Sequence, residues 1–109
     1  GSYMLLDANY DESMGRWDVH LYGEVDIYNA DSLKSELHAL VDEKKADILL
    51  DCTSLKYIDS TGLGVLVSAL KKVKEAERQI TIVNLKPHIA KIFTLTGLDK
   101  IFNIEVKDA

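Results

Sequence analysis

The hydrophobic positions of this chain change period several times, and each change marks an element. Residues 16–22 alternate, with Trp17, Val19 and Leu21 on one side and Arg16, Asp18, His20 and Tyr22 on the other. That period of two predicts a strand with one buried face. Residues 4–10 (MLLDANY) predict a strand before it, and the polar stretch 11–15 between them predicts a hairpin turn. Gly23-Glu24-Val25-Asp26 then breaks the alternation. Ala30, Leu33, Leu37, Leu40 and Val41 resume at helical spacing as far as Lys44 or Lys45, with Asn29 as a candidate N-cap and Asp31 placing negative charge in the first turn.

The middle of the chain carries the densest signal. Residues 48–50 are a short apolar run bounded by Asp47 and Asp51, too short for a helix and suited to a buried strand. From Leu63 the period lengthens: Leu63, Leu66, Val67, Leu70 and Val73 share one helical face, which places Ser60 at the N-cap. Residues 80–85 (ITIVNL) predict another strand, rich in β-branched side chains. Pro87 opens a short helix over residues 88–95 that packs Ile89, Ile92 and Phe93, and Thr96-Gly97 stops it. Residues 98–102 add a turn and 103–107 a last strand. The order β-β-α-β-α-β-α, with a terminal β, predicts an α/β fold: a mixed sheet of four to five strands covered by helices.

Composition narrows the function classes. A chain of 109 residues with 47% hydrophobic and 28% charged content suits a single domain, expected over residues 3–109, with Gly1-Ser2 reading as a cloning remnant. The net charge of −5 leaves no block of Lys and Arg able to neutralise several phosphates, so nucleic acid is not an expected partner. Lys71, Lys72 and Lys74 read as the solvated face of a helix. No run approaches the ~20 apolar residues of a membrane helix, so no membrane association is expected. The lone Cys52 fits a reducing compartment, which makes the cytoplasm the expected location.

The junction of strand and helix is where chemistry concentrates. A serine at a helix entrance is held at a fixed surface position beside about half a positive elementary charge. Gly62 and Gly64 each cost about 1 kcal/mol relative to alanine in a helix interior. Two readings remain open for them: a bare first turn that admits another molecule's backbone or a phosphoryl group to Ser60, or close packing of the helix on a strand.

Other chemistries fit less well. The chain has no Walker-type glycine loop, and Gly62-Leu63-Gly64 lacks the spacing of a dinucleotide fingerprint, so no nucleotide cofactor is expected. His20, His38 and His88 are scattered and Cys52 has no C-x-x-C partner, so no metal site is expected either. Ile58-Asp59-Ser60-Thr61-Gly62 is not a G-x-S-x-G elbow, which argues against a hydrolase. A phosphoaspartate receiver would use Asp51 at a strand end. It would also need an acidic pair after the first strand, which Leu5-Leu6-Asp7-Ala8-Asn9 does not supply.

Gly23-Glu24-Val25-Asp26, Asp51-Cys52, Thr96-Gly97-Leu98 and above all Tyr57-Ile58-Asp59-Ser60-Thr61-Gly62-Leu63-Gly64-Val65-Leu66 resemble the bacterial anti-sigma factor antagonists, small single-domain STAS proteins. The resemblance implies a non-enzymatic partner-switching regulator of transcription, as in stress responses. The residue matching the family's phosphoacceptor is Ser60, with Thr61 as the alternative, and Asp26 matches an acidic position near it. The partner-binding surface it implies comprises Asp26, Asp59, Ser60, Thr61, Gly62, Leu63 and Gly64. The implied partners are an anti-sigma factor that is itself a serine kinase, bound only by the unphosphorylated form, and a PP2C-type phosphatase that restores that form. A STAS module that binds without being switched is the alternative.

Overall fold

The structure is a computed structural model that describes residues 5–105. Its elements run β1 (Leu6–Asp11), β2 (Arg16–Val25), α1 (Ala30–Glu43), β3 (Asp47–Ile58), α2 (Ser60–Glu75), β4 (Ile80–Val83), α3 (Pro87–Thr96), a single 3₁₀ turn (Leu98–Lys100) and β5 (Asn103–Glu105). The strands form one sheet in sequence order, with β1 antiparallel to β2 and every later neighbour parallel. The order of strands and helices is therefore the expected one. Met4 and residues 106–107, assigned to the first and last strands from sequence, lie outside the described residues.

Register explains which face is covered. Leu6 pairs with Leu21, Trp17 with Ile48, Val19 with Leu50, Leu50 with Ile82 and Ile82 with Ile104, so the apolar positions of all five strands share one face. They join Leu33, Leu37 and Val41 of α1, Leu66, Leu70 and Val73 of α2, and Ile89 and Phe93 of α3 in one continuous core. The opposite face carries Asp7, Asn9, His20, Tyr22, Asp51 and Thr81, which are exposed or half-buried. The helices thus cover the apolar face of the sheet, as expected. Trp17 locks α1 to this layer: its indole N–H donates to the Lys44 carbonyl at 3.0 Å, and its ring meets Tyr10 edge-on at 5.3 Å.

Two expectations are corrected by β3. It is not a three-residue strand followed by a loop but a twelve-residue strand, Asp47–Ile58. Its pairing with β2 slips twice: His20 faces Asp51 and Tyr22 faces Ser54, then Gly23 faces Leu55 and Glu24 faces Tyr57. Each slip inserts one unpaired residue, a bulge that bends the strand and scrambles its alternation. Asp51 holds the first slip, since its Oδ1 accepts from Thr53 N–H at 3.0 Å, Thr53 Oγ1 at 2.6 Å and Asn84 Nδ2 at 3.1 Å. Likewise β2 does not stop at Tyr22. It runs through Gly23, whose φ of 70° is readily adopted by glycine, to the buried Val25.

Chain termini of elements follow local chemistry. Pro87 occupies the first turn of α3, and Gly97 closes it in the left-handed conformation, φ 77°, as expected. The strand expected over 80–85 ends earlier, at Val83, because Asn84 takes φ 62° and turns the chain. Asn29 stands at the N-cap of α1 but its side chain does not cap: Oδ1 accepts from Asp26 N–H and Nδ2 donates to the Glu24 carbonyl, both at 2.9 Å. It braces the preceding turn instead.

Candidate functional site

The end of β3 delivers the Asp-Ser-Thr-Gly stretch to the surface. The cap of α2 is Asp59, not Ser60: its backbone is extended and its Oδ1 accepts from Gly62 N–H at 3.0 Å and from Thr61 Oγ1 at 2.5 Å. Sequence could not separate the two, because Asp and Ser are both good caps and are adjacent. Hydrogen bonds from the Thr61 hydroxyl first, then from the Gly62 amide, hold the Asp59 carboxyl below its ordinary value, so it is ionised at neutral pH. Ser60 is thereby the first helical residue, exposed and relieved of capping. The Thr61 hydroxyl, the alternative acceptor, is engaged with Asp59.

The two glycines turn out to have different duties. A Cβ on Gly62 would stand 2.5 Å from Ile58 Cγ1 and 2.8 Å from Val25 Cγ1, so this glycine lets the helix close onto the ends of β2 and β3. A Cβ on Gly64 would meet nothing within 4 Å. The packing reading accounts for Gly62, whereas at Gly64 the helix surface is open. Leu63 is 8% exposed and belongs to the core, so it shapes the site from beneath.

Asp26 lies beside this helix entrance because its turn and the Asp59 loop leave adjacent strands. Asp59 N–H donates to the Val25 carbonyl at 3.1 Å, and the Ile27 amide also favours the charged Asp59 carboxylate. The Asp26 turn is itself closed by hydrogen bonds. Its carbonyl accepts from the Asn29 and Ala30 amides, and its Oδ1 from Tyr28 N–H at 2.9 Å. Sequence reasoning missed three neighbours in these segments, Ile27, Tyr28 and Tyr57, all exposed. A signal was present: Ile27 and Tyr28 form an apolar pair in a polar turn, out of phase with the strand before and the helix after.

The remaining candidate groups are placed elsewhere. Each histidine has a partner away from the hydroxyl of Ser60: His20 Nδ1 lies 3.5 Å from Asp51 Oδ2, His38 Nε2 3.0 Å from Ser68 Oγ, and His88 Nε2 2.9 Å from the Lys56 carbonyl. Asp51 is tied into the first bulge. Cys52 is buried, and burial pushes its thiol up to about 12. No group of three potential metal ligands occurs among the described residues, and no described helix is long and apolar enough to cross a membrane.

Comparison with known proteins decides the family. The STAS domain family matches residues 9–108. The chain belongs to the STAS family. An anti-sigma-B factor antagonist of Bacillus subtilis (strain 168) is 37% identical over 104 residues, 94% of each chain. Among solved structures, an anti-sigma factor antagonist from Mycobacterium paratuberculosis superposes with a TM-score of 0.77 at 24% identity, over 94% of this chain and 86% of that one. The Bacillus cell fate determinant SpoIIAA in its phosphorylated form gives 0.69 at 15% identity, over 94% and 92%. The resemblance read from the Asp-Ser-Thr-Gly-Leu-Gly run is borne out at the level of family, and the five-stranded mixed sheet is the STAS fold.

Proposed function

We propose that this STAS domain is an anti-sigma factor antagonist switched by phosphorylation of Ser60. In its unmodified form it binds an anti-sigma factor that acts as a serine kinase, and so releases the sigma factor. Transfer of a phosphoryl group from ATP to Ser60 ends the complex, and a PP2C-type phosphatase restores it. The observation that carries this reading is the division at the start of α2, where Asp59 does the capping and leaves the Ser60 hydroxyl exposed. The antagonists among its relatives, one of them SpoIIAA solved in phosphorylated form, support it.

The physics of the switch is electrostatic. A phosphate adds about −1.5 to −2 charge to a chain already at −5, next to the ionised Asp59 and beside the Asp26 turn. The helix N-terminus offsets about 0.3–1 kcal/mol of that repulsion. At the partner the balance differs. A kinase presents nucleotide phosphates to the acceptor hydroxyl, so phosphoserine faces the remaining diphosphate across a site built for a neutral group. Burying that charge without a cation costs several kcal/mol, and each ~1.4 kcal/mol is tenfold in affinity.

The test is to incubate the chain with the anti-sigma factor of the same bacterium and ATP, and to locate phosphate by mass spectrometry. One phosphate on Ser60, absent from Ser60→Ala, is the expected result. Label on Thr61 or elsewhere, or label persisting in Ser60→Ala, rejects the assignment. Ser60→Asp is expected to weaken the complex with an unchanged circular dichroism spectrum. Equal binding by Ser60→Asp and the unmodified chain would favour a scaffold that is not switched.

A further inference from the structure

We propose that Ile27, Tyr28 and Tyr57 form the apolar grip by which the switch surface holds its anti-sigma factor, separate from the hydroxyl that is modified. The proposal rests on the function proposed above and extends it to the residues that set affinity. Among the described residues six large apolar side chains are well exposed, and three of them, Ile27 at 67%, Tyr28 at 94% and Tyr57 at 47%, lie in the two segments that meet beside Ser60. Single exposed apolar residues are ordinary, whereas three carried on adjoining segments next to a candidate site mark an interaction surface.

The backbone that carries these three side chains is already set. Ile27 and Tyr28 ride on a turn fixed by the hydrogen bonds of Asp26 and Asn29, and Tyr57 lies opposite Glu24 in the register of β2 and β3. Little ordering is left to do on binding, so the apolar area these side chains lose to a partner goes largely into affinity. Tyrosine suits the role, because it offers a large amphipathic surface with few torsions to freeze.

Charge identifies the occupant. Residues 23–32 and 56–62 contain Glu24, Asp26, Asp31 and Asp59 against the single cation Lys56. Two copies of this chain would bring like charges together on this face. The matching surface is instead an apolar pocket with Lys or Arg at its edge, on the anti-sigma factor. Rim charges of this kind govern the association rate and its salt dependence, while buried anchors govern the dissociation rate.

The experiment measures binding kinetics of the full chain to the purified anti-sigma factor of the same bacterium. Tyr28→Ala and Ile27→Ser are each expected to raise the dissociation rate about tenfold or more, with the association rate and its salt dependence little changed. Because both side chains are exposed, the urea midpoint should stay that of the unmodified chain. Dissociation rates within about twofold for both variants, with Ser60→Asp still impaired, would overturn the grip and leave the switch intact. Failure of the unmodified chain to bind would overturn both. Self-association of the unmodified chain that Tyr28→Ala abolishes would assign these side chains to a second copy and overturn the proposal.

Discussion

Gly62 and Gly64 stand two residues apart in one helix, yet replacing each with alanine should move stability in opposite directions. In a helix interior alanine is worth up to about 1 kcal/mol over glycine, so Gly64→Ala, with nothing within 4 Å of the new methyl group, should stabilise by about 0.5–1 kcal/mol. At Gly62 the same gain meets a clash. The methyl carbon would lie 2.5 Å from Ile58 Cγ1 and 2.8 Å from Val25 Cγ1, and both belong to β-branched side chains that have little rotamer freedom. Overpacking of a dense core costs typically about 1–3 kcal/mol. With two stiff neighbours to displace, the upper half of that range applies, and Gly62→Ala should lose about 1–2 kcal/mol net. Urea denaturation followed by circular dichroism reads both values, and the two variants should differ by about 6 °C or more in thermal midpoint for a domain of this size. Equal midpoints, or a more stable Gly62→Ala, would refute the assignment of packing to one glycine and open surface to the other.

Two further expectations concern titratable groups. Burial first, and then the positive charges of Lys72 and Lys34, hold the His38 ring below its ordinary value, so the unfolded chain takes up this proton more readily than the folded one. The stability tied to His38 is therefore complete above the ordinary histidine range and falls as pH drops below about 6.5; His38→Gln should flatten the urea midpoint between about pH 5 and 7, and an unaltered slope would count against it. Cys52, fully buried with its thiol at about 12, should react with an aromatic disulfide reagent only as fast as the domain opens. Prompt labelling of the folded chain would contradict that burial.

Much of the fold was legible because local pattern and tertiary packing agree. The alternation around Trp17, Val19 and Leu21, the helical spacing from Leu33 to Val41, and the punctuation by Pro87 and Gly97 each survive as read. The losses have a common cause in interactions that sequence spacing does not carry. Bulges in β3 place consecutive residues out of phase, so a twelve-residue strand reads as three residues and a loop. The choice between Asp59 and Ser60 as cap is settled by which side chain reaches the Gly62 amide. The difference between Gly62 and Gly64 depends on Ile58 and Val25, which approach only in three dimensions.

The location of the cap in Asp59 has one more consequence. Because the cap does not use the Ser60 hydroxyl, that position is free to be rewritten: threonine, alanine or an acidic residue there would change the chemistry at the helix entrance while the architecture persists. Duplicated copies of such a chain can therefore diverge at this position without first losing their shape. On the function proposed above, a signalling network built from this scaffold gains constitutive members by a single codon change.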